Sequence, residues 1–576
     1  MMFELAGKQT RKGHTLDWRH QALHADNPLS AWQGLLEARG LHEQDKFFSP
    51  ALSDLPDPFL MMDMEKAATR LADAIVRQES VHVFGDFDCD GVSGTAILVE
   101  ALKSTGLTMT YSIPHRADDG HGIGVQRVQD ASKQGADLGL SVDTGTTCLD
   151  ASEEAKHLGF DLIITDHHLP DKILPDVLAL LNPARSDCGF ADRVLCGTGV
   201  AFFLLMATWQ VLAKRNQRPS YDLKQLLDRV AMATVADVMA LRGVNRVLVH
   251  FGLQQLRTSP SVGMTALLDS AKVNRKRISV ETIGFYLAPR INAAGRMAHG
   301  EDAMALLSTN NPEQAQILAS ALNVLNVSRR KVETDTYKQA CEKLKLGEQK
   351  ESDSHTLAVF DETWHAGVVG LVAGRLARQH GRPAAVGFQE GSGLIRVSLR
   401  GVSGFHIGDL LKDCAAYLTG FGGHAGAGGG TIKEGKWIEF VAAFQQAIEQ
   451  QQQSDGIRTH KLVDGVLRLP AMHHGLASRL QRFEPTGQGN PGCLWVLDDV
   501  SIVDIKKLKG GVCRIQLSDG AGYLQAVLFK GGVLLDDLQQ GACVSLLGEL
   551  KLDDFRGGNA VQFVIEDVLL VENTLD

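Results

Sequence analysis

From residue 81 onwards the chain alternates between short apolar runs and amphipathic stretches. Apolar runs of the length of buried strands occur at 81–84, 108–113, 138–142, 161–165 and 177–181. Helical patterns separate them, at 92–102, 124–134 and 146–158. Because strands that alternate with helices at this spacing form parallel sheets, the pattern predicts an α/β domain built on a parallel sheet.

Acidic and histidine side chains follow three of these predicted strands. They are Asp86, Asp88 and Asp90 after the first, Asp143 after the third, and Asp166, His167 and His168 after the fourth. A further acid, Asp237, follows a helix-like stretch at 223–235. Since ligands of such sheets bind at the carboxyl ends of the strands, we expect these side chains to converge on one edge of the sheet.

This convergence favours a metal site. Three carboxylates within five positions, as at Asp86, Asp88 and Asp90, repel one another unless a divalent cation neutralises them. Taken alone, that segment could be a solvated acidic turn that caps the next helix, Asp143 could be a helix cap, and a histidine could be a satisfied core residue. Their joint occurrence is harder to explain without a metal.

The residue types also indicate which metal and which chemistry. Carboxylates with one or two imidazoles suit Mn²⁺ or Mg²⁺ better than Zn²⁺. This many anionic ligands could hold two ions about 4 Å apart, bridged by an aspartate, an arrangement that activates water for phosphoryl transfer. Residues alone therefore predict a two-metal phosphoesterase.

Composition limits the remaining possibilities. The 576 residues are enough for roughly three or four domains, and 44% hydrophobic with 22% charged residues is typical of a soluble globular protein. No apolar run reaches the ~20 residues of a membrane span, and the N-terminus lacks a signal-peptide core. The nine cysteines form no C-x-x-C pair, so we expect reduced thiols and a cytoplasmic protein. A net charge of −10 argues against coating of nucleic acid over the whole surface but allows a basic groove.

The chain divides into five predicted parts. They are a helical lead-in packed on the first domain (1–50), the parallel-sheet domain (51–261), a polar helical connector (262–354), a smaller α/β domain (355–450) and, after a polar linker at 450–456, a C-terminal all-β domain (456–576). In the connector, PRINAAGR predicts a Gly/Ala-rich turn whose backbone could approach a phosphate. The short strands and Gly-rich turns at the C-terminus predict an OB-fold-like barrel, which binds single strands by base stacking and backbone charge.

In that barrel Lys506, Lys507, Lys509 and Arg514 form a basic cluster. Phe529, Phe555 and Phe563 are stacking candidates, although each taken singly is better explained as barrel core.

Several motifs together resemble a known superfamily. GDFDCDG, VDTGTT, TDHHLP and ATVADVM are similar, in order and spacing, to the four motifs of the DHH phosphoesterases. PRINAAGRM, LNVLNVSRRKVE, WHAGVVGLVAGRL and FGGHAGAGG extend the resemblance, through a DHHA1-type domain, to the single-strand-specific DNA exonucleases of bacteria. It covers about residue 81 to the end.

The resemblance implies an activity and its setting. The expected reaction is metal-dependent 5′→3′ removal of 5′-mononucleotides from single-stranded DNA, in DNA repair and recombination. The implied partners are single-stranded DNA, a single-strand-binding protein and a RecQ-type helicase, with no membrane and a monomeric enzyme.

The resemblance also assigns residues. By position, Asp86, Asp88, Asp143, His167 and Asp237 match the metal ligands, and His168 matches the residue that contacts the scissile phosphate; Asp166 and Asp90 join His168 in the catalytic group. His82 stands where related pyrophosphatases have a ligand, and we leave it out. Cys89 stands where the family usually has alanine. The expected substrate-binding residues are Arg116, Asn292, Arg296, Ser398, Arg400, Gly422, Gly423 and His424, the last three in a glycine-rich phosphate-cradling loop.

Two other functions remain open. A DHH-type oligoribonuclease or nucleotide phosphatase would share the metal ligands, but such enzymes are shorter and lack the C-terminal barrel. A non-catalytic single-strand-binding scaffold would be expected to have lost ligands, whereas every matched ligand is present.

Overall fold

The computed structural model describes residues 8–12, 14–19, 23–114, 122–190, 193–344, 356–389, 393–455, 460–508, 510–529, 534, 538–553 and 560–570. Over these residues the chain forms a parallel-sheet domain, a helical connector, a mixed-sheet domain and a C-terminal barrel. The predicted fold class is confirmed.

The N-terminal segment packs on the C-terminal domain. It contains β1 (Thr15–Trp18), β2 (His24–Ala25) and α1 (Pro28–Ala38). Strand β1 pairs in parallel with His460–Val463 and β2 with Gly465–Leu467. Trp32 and Leu35 share an apolar core with Trp495. The lead-in contains a helix, as expected, but the expectation that it packs on the first domain is wrong, because its partner strands lie near the end of the chain.

The parallel-sheet domain has both faces of its sheet covered. Its strands are β3 (Ser80–Phe84), β4 (Thr108–Ser112), β5 (Leu138–Val142), β6 (Asp161–Thr165) and β7 (Ala179–Leu181), in the order β4-β3-β5-β6-β7. Its helices are α2 (Met64–Arg77), α3 (Cys89–Lys103), α4 (Val125–Lys133), α5 (Leu149–His157), α6 (Gly197–Lys214), α7 (Leu227–Ala236) and α8 (Gly243–Thr258). Val81 and Val83 face the larger core with α2, α3 and α6, whereas Phe84 faces the smaller core with α4 and α5. Burial on both faces explains the nearly continuous apolar strands.

Helix α6 is the core helix of this domain. Among the described residues, it is the one helix that is long and apolar enough to cross a membrane by length and composition. Yet 72% of its 18 residues are buried inside the fold, against α2 and α3.

The connector is helical, as predicted. It contains α9 (Val262–Ser270), α10 (Val280–Thr282), a π-helical turn (Ile283–Leu287), α11 (Ala288–Met297), α12 (Glu301–Ser308) and α13 (Pro312–Lys343). The turn expected for PRINAAGR is wrong, because this sequence forms α11. Its small residues Ala293, Ala294 and Gly295 are buried, so they allow the helix to pack closely on the parallel-sheet domain.

The next domain has a mixed five-stranded sheet. Its elements are β8 (Leu357–Asp361), α14 (Ala366–His380), β9 (Ala384–Gln389), β10 (Ile395–Arg400), α15 (Ile407–Asp413), β11 (Leu418–Gly423), β12 (Ala427–Ile432) and α16 (Trp437–Asp455). The strand order is β11-β12-β10-β9-β8. The polar linker predicted at 450–456 is wrong, since α16 continues through its glutamine run to Asp455. Glutamine is a good helix former, so a run of it need not interrupt a helix.

The C-terminal domain contains a closed barrel. Its elements are β13 (His460–Val463), β14 (Gly465–Leu467), α17 (His474–Leu480), β15 (Trp495–Lys507), β16 (Val512–Ser518), β17 (Tyr523–Phe529), β18 (Cys543–Leu552) and β19 (Val561–Val568). Strands β15-β16-β17-β19-β18 close on β15, with β17 and β19 parallel. This five-stranded order is consistent with an OB fold.

Arg246 of α8 joins the parallel-sheet domain to the C-terminal domain. Its guanidinium donates to the carbonyl oxygens of Phe47, Phe483 and Glu484, and it lies 3.7 Å from the centroid of the Phe47 ring. All three carbonyl groups lie outside the parallel-sheet domain. Arg246 therefore fixes the C-terminal domain beside the parallel-sheet domain.

Candidate active site

The carboxyl ends of β3, β5 and β6 bring the predicted ligands together. These three strands are neighbours in the sheet, and Asp86, Asp143 and His167 follow them. Asp86, Asp88 and Asp143 each place one carboxylate oxygen within 4.8 Å of the others. A second group of this kind is formed by Asp90, His167 and Asp237, which follows α7.

Local structure fixes these side chains. Asp88 caps α3 by accepting hydrogen bonds from the N–H groups of Asp90 and Gly91, at 2.8 and 3.1 Å. Asp143 has a positive φ of 62°, and its N–H donates to the carbonyl of Thr165. A Cβ on Gly197 would lie 2.6 Å from the Cα of Asp143, so only glycine lets α6 begin this close to the ligand.

His167 lies between the two carboxylate groups. Its Nε2 is 3.1 Å from Asp143 Oδ1, 3.5 Å from Asp237 Oδ2 and 3.9 Å from Asp90 Oδ2. Burial lowers the pKa of His167, which favours the neutral imidazole that metal ions bind.

The charges of this cluster are not balanced by the protein. Burial, followed by the charge of Asp88, raises the pKa of Asp86 to about 7, and burial, followed by Asp90, raises that of Asp237 to about 8. Burial and four neighbouring carboxylates, of which Asp90 has the largest effect, raise the pKa of Asp143 well above its usual range. Within the described part of the chain, the buried oxygens Asp86 Oδ1, Asp143 Oδ1 and Asp237 Oδ2 have no hydrogen-bond partner. Buried carboxylate oxygens of this kind fit divalent cations, and the donor set of carboxylates and one imidazole fits Mn²⁺ or Mg²⁺.

Asp90 holds the start of α6. Its Oδ2 and Oδ1 accept hydrogen bonds from the N–H groups of Gly197 and Thr198, at 2.7 and 2.9 Å. The Thr198 hydroxyl donates to its carbonyl oxygen. A carboxylate at a helix N-terminus is favoured by both hydrogen bonding and the helix dipole. These contacts give Asp90 a positioning role.

Asp166 orients His168. Asp166 Oδ2 accepts from the N–H of Thr146, and Oδ1 accepts from the N–H groups of His167 and His168. Although burial alone would raise it, hydrogen bonds from His168 and Thr146 hold the pKa of Asp166 below its usual range. An ionised Asp166 must accept, so Nδ1 of His168 donates to it at 2.8 Å. This hydrogen bond raises the pKa of His168 to about 9.

His82 lies away from the cluster. Its two ring nitrogens are 2.8 and 3.0 Å from the hydroxyl oxygens of Thr110 and Ser112 on β4. Burial lowers its pKa to about 4. Both nitrogens are therefore occupied within the sheet, in agreement with leaving His82 out of the ligand set.

The connector residues contact backbone. The side-chain oxygen of Asn292 accepts from the N–H of Cys89, at 2.8 Å, and thus supports the start of α3. Arg296 Nη1 donates to the carbonyl of Gly367, at 3.2 Å, and thus connects α11 to the first turn of α14. Arg116 lies outside the described residues.

The glycine-rich segment is a β-hairpin for the most part. Gly422 and Gly423 belong to the edge strand β11, and His424 lies in the turn before β12. The expectation that Gly422 and Gly423 lie in a loop is therefore wrong, because both belong to a strand. Their contact with a phosphate stays a prediction. Burial lowers the pKa of His424, and so do the positive charges of Arg400, His406 and His168. His424 thus lies within range of the charges of Arg400 and His168.

Ser398 and Arg400 lie on β10 beside α14. Arg400 Nη1 donates to the carbonyl of Leu399, and its Nη2 is 3.0 Å from where a Cβ on Gly370 would lie. The hydroxyl of Ser398 is 3.6 Å from the same position. Glycine at 370 therefore leaves room for the guanidinium at the helix surface.

The barrel separates the stacking candidates. Phe529 is 54% exposed on β17, whereas Phe563 is fully buried, so Phe563 belongs to the barrel core. Tyr523, 71% exposed at the other end of β17, was missed by the sequence analysis, although a strand pattern with alternating burial could have indicated it. Lys506 on β15 pairs in register with Arg514 on β16, and the next residue, Lys507, pairs with Cys513. Phe555 and Lys509 lie outside the described residues.

Comparisons with known proteins agree with this architecture. Family models match three parts of the chain: DHH family, N-terminal domain, at residues 80–234, DHHA1 domain at 353–450 and RecJ OB domain at 463–567. The single-stranded-DNA-specific exonuclease RecJ of Dickeya dadantii is 33% identical over 553 residues, which cover 92% of this chain and 94% of that protein. The chain belongs to the RecJ family. RecJ of Escherichia coli is 32% identical over 523 residues, 88% of this chain and 90% of that protein.

Solved RecJ structures show the same fold. The structure of Thermus thermophilus RecJ in complex with Mn²⁺ has a TM-score of 0.80 and 28% identity, and covers 98% of this chain and 80% of that one. Its complex with Mg²⁺ has a TM-score of 0.74 and 25% identity, with coverage of 97% and 79%.

The sequence analysis missed the residues that support Asp90 and Asp166 through backbone. Gly197, Thr198 and Thr146 donate N–H groups to these two carboxylates. The signal for Gly197 and Thr198 was a Gly-Thr-Gly sequence at the start of an apolar helix, which is a weak one, and Thr146 lies in the VDTGTT motif.

Proposed function

We propose that this protein is a metal-dependent exonuclease that removes 5′-mononucleotides from single-stranded DNA in the 5′→3′ direction. The observation that carries the proposal is the buried cluster of Asp86, Asp88, Asp143, His167 and Asp237, in which burial and neighbouring carboxylates raise the pKa of Asp86 and Asp237 despite the nearby charge of His168. RecJ relatives are named as single-stranded-DNA-specific exonucleases, which supports the substrate class.

Mn²⁺ or Mg²⁺, in two positions, is the proposed cofactor. Asp86, Asp88 and Asp143 would hold one ion, and His167 and Asp237 would complete a second position that shares Asp143. When bound, such ions supply charge neutralisation and activation of the attacking water. The shared role of Asp143 is supported by its place both beside Asp86 and Asp88 and in a further group with Asp166, His167 and His168.

His168 is the proposed phosphate contact. With Nδ1 donating to Asp166 and a pKa of about 9, its imidazole carries a proton on Nε2 at neutral pH. A protonated Nε2 can donate to a non-bridging oxygen of the scissile phosphate and offset its charge. Asp166 acts through His168, and Asp90 acts through α6, so both are proposed as positioning residues in place of the catalytic role expected from sequence.

The second wall of the cleft is proposed to bind the 5′ end. Ser398, Arg400 and His424 supply a hydroxyl, a guanidinium and an imidazole that suit a terminal phosphate. Gly422, Gly423 and Arg296 line this side, and Asn292 is assigned to support of α3. Arg116 stays a sequence-based candidate.

The alternatives fit less well. An oligoribonuclease or nucleotide phosphatase would not need the closed barrel with exposed aromatics at Tyr523 and Phe529. A non-catalytic scaffold would have no use for carboxylates whose burial raises their pKa.

The cellular setting is also proposed from family resemblance. We infer a cytoplasmic monomer that acts in DNA repair and recombination, with a single-strand-binding protein and a RecQ-type helicase as partners.

Digestion of end-labelled DNA tests the proposed function. Purified protein with Mn²⁺ or Mg²⁺ should release labelled mononucleotide at once from a 5′-labelled single strand and only late from a 3′-labelled one. Blunt duplex and EDTA are the controls, and neither should give product. Early release of the 3′ label, or equal digestion of duplex, would contradict the proposal.

A further inference from the structure

Two adjacent aromatic side chains stand exposed on the connector. Phe285 is 75% and Tyr286 is 51% exposed, and Phe285 is the most exposed phenylalanine among the described residues. Single exposed apolar residues are common and need no explanation. Two consecutive exposed aromatic side chains form a larger apolar patch, and such patches often mark binding sites.

A proline explains why both rings point outward. Phe285 and Tyr286 lie in the π-helical turn Ile283–Leu287, four and three residues before Pro289. A proline has no N–H, and its ring clashes with the carbonyl of the fourth residue before it, so a regular α-turn is disfavoured here. The wider turn buries Ile283 and Leu287 and leaves the two aromatics between them on the surface. Such π-turns are frequent at functional sites.

The turn lies between the metal-ligand cluster and the C-terminal domain. On one side, the Cβ position of Gly284 is 3.9 Å from Val235 Cγ1, two residues before the proposed ligand Asp237. On the other side, Val280 Cγ1 is 3.8 Å from the Cβ position of Gly487. A strand that runs from the barrel to the cluster would therefore pass this turn.

Positive charge accompanies the aromatics. Arg290 lies four residues after Tyr286, donates to the carbonyl of Tyr286 at 2.5 Å and to the side chain of Asn323 on α13. Arg330 lies seven residues, about two helical turns, after Asn323 on α13 and therefore on the side of this helix that Arg290 contacts. Burial lowers the pKa of Arg290, and so does the charge of Arg330. Two close cations beside exposed rings suit a ligand that carries both anionic groups and flat bases.

We propose that Phe285 and Tyr286 form a base-stacking step for the substrate strand on its way from the barrel to the metal-ligand cluster, with Arg290 and Arg330 contacting its phosphates. The inference rests on the proposed single-strand exonuclease function. It assigns to the connector a part in substrate binding that neither the motifs nor the ligand geometry requires. Stacking is tolerant of sequence because every base has a π-face, so the step suits an enzyme that must move along any sequence.

Alanine substitution with a matched control tests the step. Phe285→Ala and Tyr286→Ala should each weaken binding of a 20-nucleotide phosphorothioate strand in Mg²⁺ by about 5- to 100-fold. Ile438→Ala, which removes a side chain that is 78% exposed on α16, should leave affinity unchanged. Phe285→Trp should retain affinity, because it keeps a stacking surface. Thermal unfolding should be the same for all four variants, since these side chains are exposed.

An abasic scan identifies stacking directly. In the parent protein, removing the base at one or two adjacent positions counted from the 5′ end should weaken binding, whereas in Phe285→Ala the same removal should have no further effect. Unchanged affinity in Phe285→Ala and Tyr286→Ala would overturn the inference, and so would a loss of affinity at the abasic positions that is as large in these variants as in the parent. If the variants instead lose self-association or capture of a protein, the surface is a protein contact and the inference is wrong.

The two proposals can fail separately. If the parent protein digests single strands while both variants bind DNA normally, only the proposal of a stacking step is refuted. If the parent protein shows weaker binding at the abasic positions but releases no nucleotide, the proposed exonuclease function is refuted and the proposed binding surface is retained.

Discussion

Asp90 Oδ2 accepts a hydrogen bond of 2.7 Å from the backbone N–H of Gly197. This contact joins the turn that carries Asp86 and Asp88 to the start of α6, where Gly197 packs against the backbone of Asp143. The position of the metal-ligand cluster therefore depends on Asp90, which holds the first residues of α6 beside Asp143.

Asp90→Asn should destabilise the protein and loosen the cluster. Its new NH₂ group would face one of the N–H donors of Gly197 and Thr198, so a buried donor loses its acceptor, at a cost of about 1–3 kcal/mol in the free energy of unfolding. We expect a lower unfolding midpoint and a smaller midpoint increase on addition of Mg²⁺. Asp150→Asn, at an exposed position of α5, is the matched control and should behave as the parent does. Equal midpoints for both variants would argue against this role.

Asp143→Ala should abolish activity and spare DNA binding. The substitution removes a carboxylate that belongs to the group of Asp86 and Asp88 and also lies 3.1 Å from His167 Nε2, so two cations would be poorly held and would repel each other. We expect single-strand cleavage to fall by several orders of magnitude, with affinity for a single strand in EDTA within a few-fold of the parent. Near-normal cleavage by the folded variant would refute the two-metal assignment.

Cys89→Ala should keep full activity. Burial, followed by the charge of Asp88, raises the pKa of the Cys89 thiol well above its usual range, so the thiol stays neutral beside the carboxylates. Its backbone N–H, which donates to Asn292, is unchanged by the substitution. Turnover with Mn²⁺ and with Mg²⁺ is the measurement, and a large loss with either ion would mean that the sulfur takes part in ligation.

Stability without metal should fall as pH rises. The pKa values of Asp86 and Asp237 are raised to about 7 and about 8, so between about pH 4 and pH 8 the folded state holds protons that the unfolded chain has lost. Since the unfolded state then binds fewer protons, the free energy of unfolding decreases with pH over this window.

Thermal unfolding in EDTA and in Mg²⁺ checks this dependence. The decrease in EDTA should be smaller in Asp237→Asn, and the stabilisation by Mg²⁺ in the parent should grow with pH because the ion replaces protons. A stabilisation by Mg²⁺ that does not change between pH 5.5 and pH 8.5 would disagree with the raised pKa values.

Arg400→Ala should weaken recognition of the 5′ end. If Arg400 contacts the terminal phosphate, its loss removes a charge-assisted contact of about 1.5–3 kcal/mol from binding of a 5′-phosphorylated strand. The ratio of kcat/KM for 5′-phosphate over 5′-hydroxyl substrates should fall accordingly. Arg218→Ala, at an exposed position after α6, should keep the parental ratio. A ratio that Arg400→Ala also keeps would place Arg400 outside the pocket.

Periodicity predicted the parallel sheet closely. Strands β5 and β6 have the predicted bounds, and β3, β4 and β7 differ by one or two residues at one end. Strands buried on both faces are read easily, because their apolar runs are short and bounded by polar turns. The grouping of acidic and histidine side chains was predictable for the same reason, since Asp86, Asp143 and Asp237 each follow the end of a strand or helix that is visible in the pattern. That they bind metal stays a prediction.

Local pattern misjudged three segments. PRINAAGR has the composition of a turn but forms α11, the glutamine run continues α16, and the glycine-rich segment forms the hairpin of β11 and β12. Small residues let α11 pack closely, the helix propensity of glutamine continued α16, and sheet pairing supplied hydrogen bonds that a loop would lack.

The sequence by itself determined the α/β class, the metal-ligand residues and the family resemblance, because these depend on residue type and spacing along the chain. Only the tertiary structure decided which elements from distant parts of the chain contact one another. The lead-in pairs with β13 and β14, Asp90 and Asp166 support the site through backbone N–H groups of distant elements, and Pro289 turns Phe285 and Tyr286 outward beside the cluster. Hydrogen bonds to backbone leave no residue-type signal, since every non-proline residue offers the same N–H, and so these contacts can be found only where the fold brings the partners together.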